Sequence, residues 1–162
     1  MRLPGQTKRA VMAVVGVTVA AMAGGAPAQA SDASLRKAIT QQERRLAPLT
    51  EEFSEAVRMP TSAVGIARFN KVLERLQSNT RKYRTAVVKQ QATTQKVKRG
   101  RTQFLAGLDS FAKAIRSYRA ALDSFDPERP GAEKPAFRRA ATQLKSANTR
   151  LDRAGKVIGV RR

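Results

Sequence analysis

Over the 57 residues from Phe69 to Phe125, seam positions recur in alternating steps of four and three without one slip of register. They are Phe69, Leu73, Leu76, Thr80, Tyr83, Val87, Gln90, Thr94, Val97, Arg101, Phe104, Leu108, Phe111, Ile115, Tyr118, Leu122 and Phe125. Residues spaced this way share one stripe of an α-helix, whereas a strand would scatter them over both of its faces. A second column, Gly65, Val72, Asn79, Ala86, Thr93, Gly100, Gly107, Ala114 and Ala121, stays small or neutral. The contact face is thus three positions in seven, suited to close helix packing.

The same rhythm organises the flanking segments. Upstream it reads Leu35, Ile39, Gln42, Leu46, Leu49, Phe53 and Ala56, interrupted by Pro48. That proline predicts a kink, or a fresh helix start near Thr50. Arg58-Met59-Pro60-Thr61-Ser62 is a stop signal, with Thr61 or Ser62 expected to cap the next helix. The stretch 126–135 carries Pro127, Pro130, Gly131 and Pro135 and reads as a connection. The last segment repeats the seam with Phe137, Ala141, Leu144, Asn148, Leu151, Gly155 and Ile158, beside Ala140, Ala147 and Ala154.

The expected fold class is all-α, and two arrangements satisfy the pattern. In the first, Gly100 ends a helix and Thr102 caps the next. The result is an antiparallel four-helix bundle with helices roughly at 33–57, 62–98, 102–125 and 135–158. In the second, helices 2 and 3 are fused into one near 62–125, about 95 Å long, with Gly100 inside it at a cost of about 1 kcal/mol. Unbroken register favours the long helix. Burial favours the bundle, because isolated helix pairs cover little apolar surface, and the bundle is the expected fold.

Residues 1–30 carry Arg2, Lys8 and Arg9 and no acid, then an Ala/Val/Gly/Met-rich run from Ala10 to Ala26, then Ala28-Gln29-Ala30. Basic, apolar and small-residue regions in that order are the pattern of a cleaved secretory signal peptide, with the cut expected between Ala30 and Ser31. The run is shorter than the ~20 apolar residues a spanning helix needs. Lys8-Arg9 is not the arginine pair of a twin-arginine signal, so Sec-type export is expected, to the periplasm, the cell envelope or the medium. The mature chain would be a single helical domain, 31–162. It has no Cys and so is held by packing without disulfides.

Composition removes most catalysis. With no His and no Cys, sites built on imidazole or thiolate ligands and nucleophile–imidazole pairs are excluded. Glu51, Glu52 and Glu55 are the only acidic cluster. Glu51 and Glu55 share a helix face, as paired glycosidase carboxylates might, but no cleft-forming polar and aromatic residues accompany them. The simpler reading is favourable negative charge in the first turn of a helix starting near Thr50. Asp109 with Lys113, and Asp123 with Arg119, read as ordinary pairs one helical turn apart. The aromatics, six Phe and two Tyr, fall on seam positions. They therefore read as core and not as a base-stacking platform, with the Tyr83 and Tyr118 hydroxyls expected at the seam's edge. A non-enzymatic protein is expected, with no catalytic residue, metal, cofactor or small-molecule substrate evident.

Charge is the most informative remaining feature. The chain holds 32 Lys and Arg against 12 Asp and Glu, for a net charge of +20. Loss of the leader would leave +17, of which residues 61–100 carry +9 and residues 127–162 carry +7. Arg68, Arg75, Lys82, Lys89 and Lys96 recur every seventh residue, and Arg81, Arg84, Lys98 and Arg99 widen the stripe. A linear array of cations suits an anionic polymer or an acidic envelope surface. These nine residues are the expected polyanion-binding set. The alternative is a structural coiled-coil protein that forms a homo-oligomer or docks to a helical protein partner, with Gln90, Thr94 and Arg101 specifying register in the seam.

Overall fold

A computed structural model describes residues 26–57, 62–125 and 134–160. Four helices account for nearly all of them: α1 (Ala26–Ala56), α2 (Ala63–Lys89), α3 (Gln95–Asp123) and α4 (Lys134–Ile158). The stop residues Arg58 to Thr61, the connection at 126–133 and the leader up to residue 25 lie outside the described residues. Helix α1 begins at Ala26 and not near residue 33, so Ala28, Ala30 and Ser31 of the expected cleavage site fall in its first turns.

Each helix end has an identifiable cause. The Ser62 hydroxyl accepts the Gly65 N–H at 3.1 Å and caps α2, as Ser/Thr N-caps do. Gly159 follows α4 with φ +84°. Its N–H reaches the Lys156 carbonyl at 3.2 Å, and the Val160 N–H reaches the Gly155 carbonyl at 2.9 Å. That is the Schellman closure, in which glycine adopts the left-handed conformation without a Cβ penalty.

The helices run antiparallel, because residue numbers rise along one partner as they fall along the next. Arg84 meets Asp109 and Glu74 meets Arg119 between α2 and α3. Ser110 meets Arg150 and Ser117 meets Gln143 between α3 and α4. Glu52 meets Arg75 and Glu55 meets Arg68 between α1 and α2. The core follows the seam: Leu35, Ile39, Leu73, Leu76, Val87, Phe104, Leu108 and Ile158 are essentially sealed from solvent. Each such side chain contributes about 1.5–3 kcal/mol by leaving water. One ring from each helix, Phe53, Phe69, Tyr118 and Phe137, forms a cluster with centroids 5.1 to 6.4 Å apart.

Several expectations are corrected. The chain turns at Gln90–Thr94, so α2 stops well before residue 98 and α3 starts before residue 102. Gly100 lies inside α3, because a Cβ there would come within 2.8 Å of Ile158 Cγ1 and 3.3 Å of the Ile158 backbone nitrogen. The glycine is a close-approach residue, and its weak helix propensity is overridden by that contact. Thr102 caps nothing; its hydroxyl donates to the Lys98 carbonyl within α3. Helix α1 runs through Pro48 without restarting, and the Thr50 hydroxyl donates to the Ala47 carbonyl at 2.7 Å. The glutamates at 52 and 55 consequently serve as partners for α2, not as first-turn charges. Asp109 and Arg119 likewise pair across to α2 and not within α3. Tyr83 and Tyr118 are both buried, and burial pushes the Tyr118 phenol above its ordinary pKa.

Candidate functional site

The α2–α3 turn is built from polar members of the seam. Gln90 takes an extended conformation and closes α2 with its N–H on the Val87 carbonyl. Thr94, also extended, caps α3. Arg101 then reaches back, donating from Nε to the Val87 carbonyl at 3.2 Å and from Nη2 to the Val88 carbonyl at 2.7 Å. The guanidinium thus shares the Val87 carbonyl with the Gln90 N–H and satisfies the Val88 carbonyl, which the end of α2 leaves without a helical donor. The residues that might have specified register between chains are used within this one.

Asp32 fixes the turn from α1. Its Oδ1 accepts the Thr93 N–H at 2.9 Å and the Thr93 hydroxyl at 3.2 Å, and its Oδ2 accepts the Thr94 hydroxyl at 2.7 Å. Burial by itself raises the Asp32 pKa. The hydrogen bonds from Thr93 and Thr94 outweigh that and hold the carboxyl below its ordinary value. One turn further on, Arg36 Nε donates to the Ile158 carbonyl at 2.8 Å, tying α1 to the end of α4.

These contacts bring the start of α1, the end of α2, the start of α3 and the end of α4 to one end of the bundle. Residues 31–44, 81–94, 95–110 and 150–160 meet there with 14 Lys and Arg against four acids, Asp32, Glu43, Asp109 and Asp152. The described remainder, 45–57, 62–80, 111–125 and 134–149, holds 11 basic residues against five acids. Two helix N-termini and two C-termini share the cationic end, so their macrodipoles oppose one another and the field there comes from side chains.

The structure divides the sequence-derived stripe. Arg68, Arg75, Lys82 and Lys89 stay on α2, while Lys96, Lys98 and Arg99 begin α3 beyond the turn. The nine residues therefore do not form one linear array. Arg68 pairs with Glu55 at 3.8 Å, Arg75 pairs with Glu52, and Arg84 pairs with Asp109 at 2.8 Å. The other six, Arg81, Lys82, Lys89, Lys96, Lys98 and Arg99, are exposed at the cationic end and form no ion pair among the described residues. Lys37, Arg153 and Lys156 join them there in the same condition. Reading along the sequence missed those three, because α1 and α4 had not yet been placed beside the turn.

Among the described residues no three carboxylates converge as metal ligands. No described helix is long and apolar enough to cross a membrane. The chain matches no protein-family model, no curated protein and no solved structure.

Proposed function

We propose that this chain is an exported, non-enzymatic helical bundle that binds an anionic polymer or acidic envelope surface through its cationic end. The observation that carries the proposal is the gathering at one end of nine exposed cations, Lys37, Arg81, Lys82, Lys89, Lys96, Lys98, Arg99, Arg153 and Lys156, that form no ion pair among the described residues. Of the four acids at that end, Asp32 is buried and committed to the turn, and Asp109 pairs with Arg84. Exposed cations without local carboxylates are neutralised by counterions in solution. A polyanion that replaces those ions gains from releasing them along with its own.

Export is part of the proposal and rests on the leader pattern of residues 1–30. N-terminal sequencing of the protein recovered outside the cytoplasm is expected to begin at Ser31.

Affinity for a defined polyanion, double-stranded DNA or heparin, measured across ionic strength, tests the binding. With about six cations engaged, affinity is expected to fall about a thousandfold between 50 and 200 mM salt. A salt-independent affinity would overturn the reading, and so would no binding at low salt.

A further inference from the structure

On its outer side the α3–α4 pair leaves a cleft of about 380 Å³, lined by Ser110, Lys113, Thr142, Gln143, Ser146 and Arg150. A water molecule's share of liquid volume is about 30 Å³, so the cleft admits a small oxyanion together with some of its hydration. No carboxylate lines it. That is unusual for this bundle, where four arginines along α2 and α3 meet acids on a neighbouring helix.

Four of the lining residues offer donors, Lys113, Gln143, Ser146 and Arg150, while the Ser110 and Thr142 hydroxyls donate to the Ala106 and Arg138 carbonyls within their own helices. Lys113 on α3 and Arg150 on α4 form no ion pair among the described residues. Arg150 Nη1 donates to Ser110 Oγ at 3.2 Å, which draws the guanidinium across from one wall to the other. The Ser117 hydroxyl donates to Gln143 Oε1 at 2.7 Å. Its carbonyl so occupied, the Gln143 amide is left with two N–H donors. The Ser146 hydroxyl has no partner among the described residues.

The walls are fixed relative to each other by a closely packed seam. At Gly107 a Cβ would meet Leu151 Cδ2 at 2.8 Å and the Leu151 nitrogen at 3.4 Å. Donors on two rigidly apposed helices are already positioned before a ligand arrives, which lowers the ordering cost of binding.

We infer that the α3–α4 cleft binds one tetrahedral oxyanion, a phosphate or sulfate group, between Lys113 and Arg150, with Gln143 and Ser146 as neutral donors. A cation is repelled there. A doubly charged oxyanion meets two charge-assisted hydrogen-bonding groups, one of them a planar fork. This goes beyond polymer binding at the cationic end: the end responds to charge density, whereas the cleft selects a single group by the placement of its donors.

The test is amide NMR of the full chain titrated with pyrophosphate, and separately with sulfate, at ionic strength held constant with chloride. Saturable shifts are expected at residues 110–117 and 142–150. Binding of both probes, or of pyrophosphate alone, supports the site and fixes how widely it accepts oxyanions. Both side chains are exposed, so Lys113→Gln with Arg150→Gln should keep the amide pattern of the fold while weakening the titration about tenfold or more. Lys89→Gln with Lys96→Gln and Lys98→Gln should leave the cleft titration unchanged. The inference is overturned by an absence of saturable shifts with either probe, by an unaltered titration in the cleft variant, or by equal weakening in both variants. Loss of polymer binding with the cleft titration intact would refute the proposed function and not this site.

Discussion

The two helix pairs at the edges of the bundle are held in opposite ways. Between α3 and α4, Gly100, Gly107, Ala114 and Ala121 are buried on one side and Ala140, Ala147 and Ala154 on the other. Among the described helices, the backbones of these two approach one another most closely. Two hydrogen bonds cross it, Ser117 to Gln143 and Arg150 to Ser110. Between α1 and α2 the contact is made by larger side chains, among them Leu35, Ile39, Leu49, Phe53, Phe69 and Leu73, and two ion pairs cross it. Close approach of backbones gives α3–α4 dispersion contacts at every turn; bulk gives α1–α2 its burial, with acids consuming cations at the rim. The difference bears on function. Where small residues do the packing, the cations beside them stay available. Where Glu52 and Glu55 stand opposite, Arg75 and Arg68 do not.

The comparison is most directly broken by exchanging size. On the α2 side, Leu73→Ala removes a side chain only 1% exposed and is expected to lower unfolding free energy by about 3 kcal/mol, as large-to-small core changes do. On the α3 side the damage should come from enlargement. Gly107→Leu is expected to destabilise by about 2 kcal/mol through overpacking against Leu151. Chemical denaturation of both variants checks the pair. If Gly107→Leu were neutral or stabilising, the seam would not be closely packed.

Asp32 should show the next largest effect, and a pH signature with it. Its carboxyl titrates lower in the folded chain than the ~3.9 of an unfolded aspartate. Its contribution is therefore complete above the unfolded value and disappears as pH falls through the folded one. Asp32→Asn is expected to lose about 1.5 kcal/mol near neutral pH, in the range for hydrogen bonds to a charged group. It should also flatten part of the acid limb of stability below about pH 4. Denaturant midpoints across that range measure both. The smallest effect belongs to the exposed ion pairs. Arg75→Ala, half-exposed on its side chain, is expected to cost no more than about 0.5 kcal/mol. A larger loss would mean that α1–α2 depends on charge and not on bulk.

Much of this architecture was legible in the chain. The seven-residue rhythm marks the helices, and the column through Gly100, Gly107, Ala114 and Ala121 marks the face that packs closely. The turn was misplaced because glycine is the strongest local breaker after proline, and nothing local reveals that Gly100 must pass against Ile158. The better signal lay in the seam itself: Gln90, Thr94 and Arg101, polar where the rhythm calls for apolar residues, all serve the turn. Asp32 could not have been read from sequence, because the backbone it holds lies 61 residues away. The candidate site was half legible. Cation density along residues 81–99 shows in the chain, but the arrival of Lys37, Arg153 and Lys156 beside it depends on antiparallel topology, which composition does not encode.

The central claim is that the cationic end, and not the basic surface as a whole, meets the polyanion. Two triple charge reversals of equal magnitude test it: Lys89→Glu, Lys96→Glu and Lys98→Glu at that end, against Lys71→Glu, Arg138→Glu and Arg139→Glu on the described remainder. Both sets are exposed side chains, so each changes net charge alike with little effect on the core. Binding to the same polyanion at the same salt is expected to weaken about a hundredfold or more for the first set, and by much less for the second. Equal losses in the two variants would contradict the account.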